Sequence, residues 1–173
     1  MLTEISLFTI LSTAILFSFI SLGVIRFGLL SSYSSYSEKW GEAVPMNNMN
    51  LWSVVTFIAS FLLCPVMIQL AVGSAWQFLG FLTPVYLMVV SLTPDWYKDK
   101  KLHIIHTVAA LLCVAGSSIW MILIMHALKI IAISAVLFLT TALFTGTVKS
   151  SAVFWLEMWL FVSTYLTVLF AIF

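Results

Sequence analysis

An all-α, polytopic transmembrane bundle of about six helices is the fold class this sequence predicts, and three observations predict it. The 173-residue chain is 63% hydrophobic and only 8% charged, where soluble domains run nearer 45–50% apolar and about 25% charged. Apolar runs approaching the ~20 residues needed to cross a hydrocarbon core recur six times. The cations, finally, gather in alternate connections between those runs.

The first run covers residues 5–25 and ends at Arg26. It lacks a basic leader and a small-residue cleavage site, so it reads as a retained span, with the mature chain starting near Met1. Residues 26–50 form a polar connection carrying SSYSSYSEKW and then GEAVPMNNMN. At this length it is too short to fold as a domain of its own. The second span is 51–72, and Gly73-Ser74 turns the chain into the third, 76–92. Residues 93–102, TPDWYKDKKL, stop that span with a run of charges. Spans four to six follow at 103–126, 130–148 and 152–173, and the whole chain reads as one transmembrane domain.

Pro65 and Pro84 fall inside spans two and three, where each removes a backbone hydrogen bond and is expected to kink its helix. Trp52, Trp76, Trp96, Trp120 and Trp155 lie at or within about two turns of span ends, as an interfacial aromatic belt requires. Cys64 and Cys113 sit in apolar runs without Cys-x-x-Cys spacing and read as small packing residues.

Arg26, Lys39, Lys98, Lys100, Lys101 and Lys149 fall on one side of a six-span chain, and Lys129 alone on the other. The positive-inside rule therefore places residues 26–50 in the cytoplasm and both termini outside. The location expected is the cell membrane, the inner membrane in a bacterium. A net charge of +1 supplies no field for nucleic acid. The partners expected are membrane lipids, a second copy of the chain or another membrane protein.

Glu157 interrupts span six between Trp155, Leu156, Met158 and Trp159. A carboxylate inside a membrane helix is costly, and it commonly pairs or faces a cavity. His106 lies at an equivalent depth on span four. Glu157, His106, His103, Asp95 and Asp99 are therefore expected near one cytoplasmic-side site. His126, twenty residues beyond His106 and about 30 Å along a helix, cannot join it. His103 and His106 with Glu157 are candidate zinc ligands, and His106, Glu157 and Asp95 are candidate catalytic groups, although no His-Glu-x-x-His motif is present.

Ala109, Ala110, Cys113, Gly116 and Ser117 form a stripe of small residues that places span four at the packing centre. Ser31, Ser32, Tyr33, Ser34, Ser35 and Tyr36 read as a helix cap or headgroup contact, with nothing in their spacing to activate a serine.

Trp76-Gln77-Phe78-Leu79-Gly80-Phe81-Leu82, Thr93-Pro94-Asp95-Trp96 and the segment from Leu102 through His106 to Ala110 resemble small bacterial membrane proteins with a Pro-Asp/Asn-aromatic turn before a His-x-x-x-Ala helix. They are also similar to the Frag1/DRAM/Sfk1 superfamily. That resemblance covers about 50 residues. It implies six spans, a histidine-led fourth helix and roles in lipid remodelling or membrane trafficking, and it singles out His106, Ala110 and Asp95. Compared with seven-span hydrolases of the alkaline-ceramidase type, the chain lacks a span and part of the ligand set.

Three functions follow as expectations. The first is a non-enzymatic bundle, without a cofactor, that binds lipid or a partner protein through its cytoplasmic face. The second is a membrane-embedded metal-dependent hydrolase using His103, His106, Glu157 and Asp95. The third is a small channel or transporter with Glu157 in its path.

Overall fold

The computed structural model describes residues 2–44 and 50–173. Its described residues form seven α-helices and no strand: α1 (Leu2–Phe27), α2 (Ser35–Ala43), α3 (Leu51–Leu70), α4 (Phe78–Ser91), α5 (Lys100–Leu123), α6 (Leu128–Phe144) and α7 (Val148–Ile172). Four helices are long and apolar enough to cross a membrane: Thr3–Phe27, Leu51–Leu70, Lys100–Leu123 and Val148–Ile172.

The other two expected spans correspond to shorter apolar helices. With 14 and 17 residues, α4 and α6 rise about 21 and 26 Å, against a hydrocarbon core of about 30 Å. Helix α4 starts late because residues 71–77 are spent in turns, with Gly73 at φ +84°. Helix α6 is trimmed at both ends, by His126 at φ +51° and Gly146 at φ +65°.

Large apolar residues cover the surface of the bundle, and hydroxyls are buried among the apolar residues of its interior. Leu111, Ile133, Leu137 and Phe144 point outward, while Thr9, Ser12, Thr56, Ser60, Ser117 and Ser163 are buried. Helices packed in lipid gain little from burying apolar surface against one another, so small and hydroxylic residues make their contacts. Half of these hydroxyls bond the carbonyl one turn back: Thr9 to Ile5 (2.8 Å), Ser60 to Thr56 (2.6 Å) and Ser163 to Trp159 (2.6 Å). Others tie helices together. Tyr165 reaches Ser12 at 2.6 Å, and Ser12 in turn donates to the Ala59 carbonyl at 2.7 Å.

Helix α3, not α5, occupies the centre: it packs on α1, α2 and α4 and touches α7, whereas α5 packs on α4 and α7. The small stripe on α5 serves one close approach. A Cβ on Gly116 would lie 2.6 Å from Thr83 Oγ1 of α4. Gly80 of α4 likewise sits against α3, where a Cβ would meet the Met67 carbonyl oxygen at 2.5 Å. Helices α3 and α4 continue through Pro65 and Pro84; helix α7 is kinked at Ser151 (φ −137°, ψ 30°). Trp52 and Trp120 are fully buried packing residues facing the interior, while Trp76 is exposed as a belt residue would be.

The polar connection is not a plain loop. Its SSYSSYSEKW stretch contains α2, whose Tyr36, Ser37 and Trp40 are buried together with Tyr33 just before it. These four positions follow the i, i+3, i+4, i+7 spacing of one helical face. The connection's residues 45–49 lie outside the described residues.

Candidate functional site

The segment 31–37 folds back onto the bundle and is held by α3, α5, α7 and the connection that follows α4. The bend at Ser151 turns the Phe154 N–H away from its own helix, and it donates to the Ser31 carbonyl at 2.9 Å. One turn on, the Glu157 carboxylate accepts from the Tyr33 N–H at 2.6 Å. The Tyr33 hydroxyl meets Thr56 Oγ1 of α3 at 2.7 Å. Burial pushes the Tyr33 phenol above its ordinary range, with the Thr56 hydrogen bond opposing that rise. Ser37 donates to the Pro94 carbonyl at 2.8 Å and accepts from Asn50 Nδ2 at 2.9 Å. The Asn50 oxygen caps α3 by accepting from the Ser53 N–H.

His106 joins this segment from α5. It is buried, with Nε2 3.0 Å from Ser34 Oγ and Nδ1 2.9 Å from Thr93 Oγ1. The Thr93 hydroxyl proton is directed at the Val90 carbonyl, 2.8 Å away. With its proton on that carbonyl, Oγ1 is placed to accept from Nδ1–H, and in that tautomer the Nε2 lone pair accepts from Ser34. The Trp96 ring stacks on His106 at 5.1 Å and 20° and fixes the plane of the imidazole.

His106 and Glu157 are thus tied to consecutive residues, Ser34 and Tyr33. A cavity of about 40 Å³ lies beside them, lined by Tyr33, Ser34 and Glu157 with Ala110, Val114 and Leu160 among its apolar walls. The other expected members stand apart. Asp95 pairs with Lys98 at the surface (2.7 Å) and by that hydrogen bond raises the Lys98 ammonium above its usual range. Asp99 caps α5 by accepting from the Lys101 and Leu102 N–H groups. His103 is exposed, its ring 5.4 Å from that of Trp96, and His126 is exposed in the turn before α6. Among the described residues no three His, Cys, Asp or Glu side chains are grouped to hold a metal ion.

The sequence reads Ser34 as a cap or headgroup contact, because its partner His106 is 72 positions away. The aromatic spacing Tyr33-x-x-Tyr36-x-x-x-Trp40 was the available sign that this stretch is a buried helix face.

The opposite face of the same α7 turns lines a second feature. Between α6 and α7 runs an apolar groove of about 280 Å³, bounded by Ala135, Phe138, Ala142, Ala152, Trp155 and Trp159 among others. Leu139 and Leu156 on its rim are exposed. Trp155 is anchored by its Nε1 donating to Thr147 Oγ1 at 2.8 Å, beside the exposed Lys149. No protein-family model, curated protein or solved structure gives a significant match to this chain.

Proposed function

We propose that this is a six-span integral protein of the cell membrane, termini outside, that binds a membrane lipid along the groove between α6 and α7. The observation that carries the reading is the groove itself. It is almost wholly apolar and has an outward rim of exposed leucines. Its volume is close to the lower end of small-molecule sites, about 300–1,000 Å³. One wall reaches Val148 and Ala152, next to the exposed Lys149. That arrangement suits an acyl chain in the groove with an anionic headgroup at the lysine. The lipid-linked roles implied by the family resemblance point the same way.

Six crossings are supported by the order of α1, α3, α4, α5, α6 and α7, each joined to the next by a short connection apart from the one that holds α2. Short connections make successive helices antiparallel, and the turns at 71–77 add length to the α4 crossing.

Native mass spectrometry of protein released from nanodiscs tests the binding. An anionic phospholipid stays bound to the wild type, and Ala152→Trp, which fills the groove from an exposed position, loses it. Identical lipid adducts on both proteins, or none on the wild type, would overturn the reading.

A further inference from the structure

Ser34 combines four properties that a helix-capping serine does not need. It occupies the N-cap of α2, yet its side chain makes no capping hydrogen bond. Its hydroxyl is committed instead to His106 Nε2 at 3.0 Å. Thr93, donating to the Val90 carbonyl, is placed to accept from Nδ1, and in that tautomer Nε2 can take the Ser34 proton. And Ser34 lines a cavity bounded by the half-exposed Ala110 and Val114, where α5 and α7 touch lightly. Nucleophile, base and a group orienting the base within hydrogen-bond reach form the general signature of an activated serine.

We propose that Ser34 is a catalytic nucleophile and His106 its general base, in a membrane-embedded site that cleaves the carboxylic ester of a lipid. Ser34 Oγ attacks the ester carbonyl carbon while His106 Nε2 takes the hydroxyl proton. The bond from that carbon to the leaving alcohol oxygen then breaks, and the same proton passes from Nε2 to the alcohol. The acyl-Ser34 ester is released by water, which gives a proton to Nε2, bonds to the acyl carbon and returns Ser34 Oγ as a hydroxyl on receiving that proton.

Glu157 is a positioning residue. It grips the Tyr33 N–H and so fixes the backbone immediately before the nucleophile. The substrate class follows from depth. His106 lies six residues into α5, about 9 Å from the start of that helix, at the level where the ester groups of a bilayer lipid sit below their headgroups. A cavity of about 40 Å³ admits the ester group, with the chains lying outward between α5 and α7.

This inference takes its substrate class from the membrane-lipid reading but does not use the α6–α7 groove. The test is covalent labelling of the full-length protein in nanodiscs with a long-chain alkyl fluorophosphonate, followed by peptide mass spectrometry. A serine activated in this way displaces fluoride and keeps the phosphonyl group. The expected result is one adduct on Ser34, absent in Ser34→Ala and slowed about 100-fold or more in His106→Gln. In Thr93→Val, which frees the imidazole from its orienting partner, labelling slows while thermal unfolding still shows a folded protein. Hydrolysis of a nitrophenyl acyl ester follows the same order of variants. The proposal is overturned if folded wild type carries no adduct on Ser34. It is equally overturned if labelling is unchanged in both His106→Gln and Thr93→Val. Lipid retention in native mass spectrometry and phosphonyl labelling of Ser34 are separate measurements, so failure of groove binding and failure of the nucleophile are read separately.

Discussion

At Thr93 a single hydroxyl joins two partners: it donates to the Val90 carbonyl at 2.8 Å and stands 2.9 Å from His106 Nδ1, placed to accept from it. Thr93→Val removes the hydroxyl partner of the buried His106 ring nitrogen, at a cost of about 1–3 kcal/mol. Thermal unfolding in detergent micelles is expected to show the loss. Glu157 offers a second contrast. Glu157→Gln retains an acceptor for the Tyr33 N–H, whereas Glu157→Ala removes it, so the melting temperature falls further in the alanine variant. Equal melting temperatures for the two would mean that the Tyr33 contact does not hold the segment. The prominence of His106 and Glu157 was legible in the sequence, because polar residues inside apolar runs are costly and need partners. The partners were not legible. Both lie in a serine- and tyrosine-rich stretch that resembles solvent-facing chain unless its helical spacing is noticed, and pairing over 72 and 124 positions leaves no local trace.

Among the helices, close approach is governed by two glycines with different tolerance. At Gly80 an added Cβ meets the Met67 carbonyl oxygen, a backbone atom that cannot move without shifting α3. At Gly116 the obstacle is the Thr83 hydroxyl oxygen, with Thr83 Cβ at an ordinary 3.6 Å. Both Gly80→Ala and Gly116→Ala are expected to destabilise by about 1–3 kcal/mol. Combining Gly116→Ala with Thr83→Ala removes the obstacle and recovers most of the loss, while Gly80→Ala has no such partner. A double-mutant cycle in thermal unfolding measures this. The small stripe on α5 was readable as packing, and the structure uses it so. What the stripe does not encode is rank within the bundle. It brings α5 against one neighbour, and the central place falls to α3, whose buried face mixes Trp52, Thr56, Ser60 and Met67. Helix α2 was missed because a buried amphipathic turn of nine residues lacks the length that marks a span.

For the whole molecule, composition gave the class, because a chain this apolar cannot hide its surface in water, and the outward leucines with inward hydroxyls are the same fact seen in three dimensions. Span number is harder to read. Length alone counts four helices, and the two shorter ones depend on turns whose glycines and His126 cut the helix early. With six crossings, a membrane-impermeant thiol reagent added to intact cells labels a cysteine substituted at Lys129 and not one at Lys98, in a background of Cys64→Ala and Cys113→Ala. The opposite pattern would reverse the orientation. The account rests most heavily on segment 31–37 folding back between α5 and α7, and the direct test is bridging of Ser34→Cys to His106→Cys in that background by a short bifunctional thiol reagent. The account predicts an intramolecular bridge, seen by mass spectrometry, in most of the folded protein. Single modification of both cysteines with no bridge between them would contradict it.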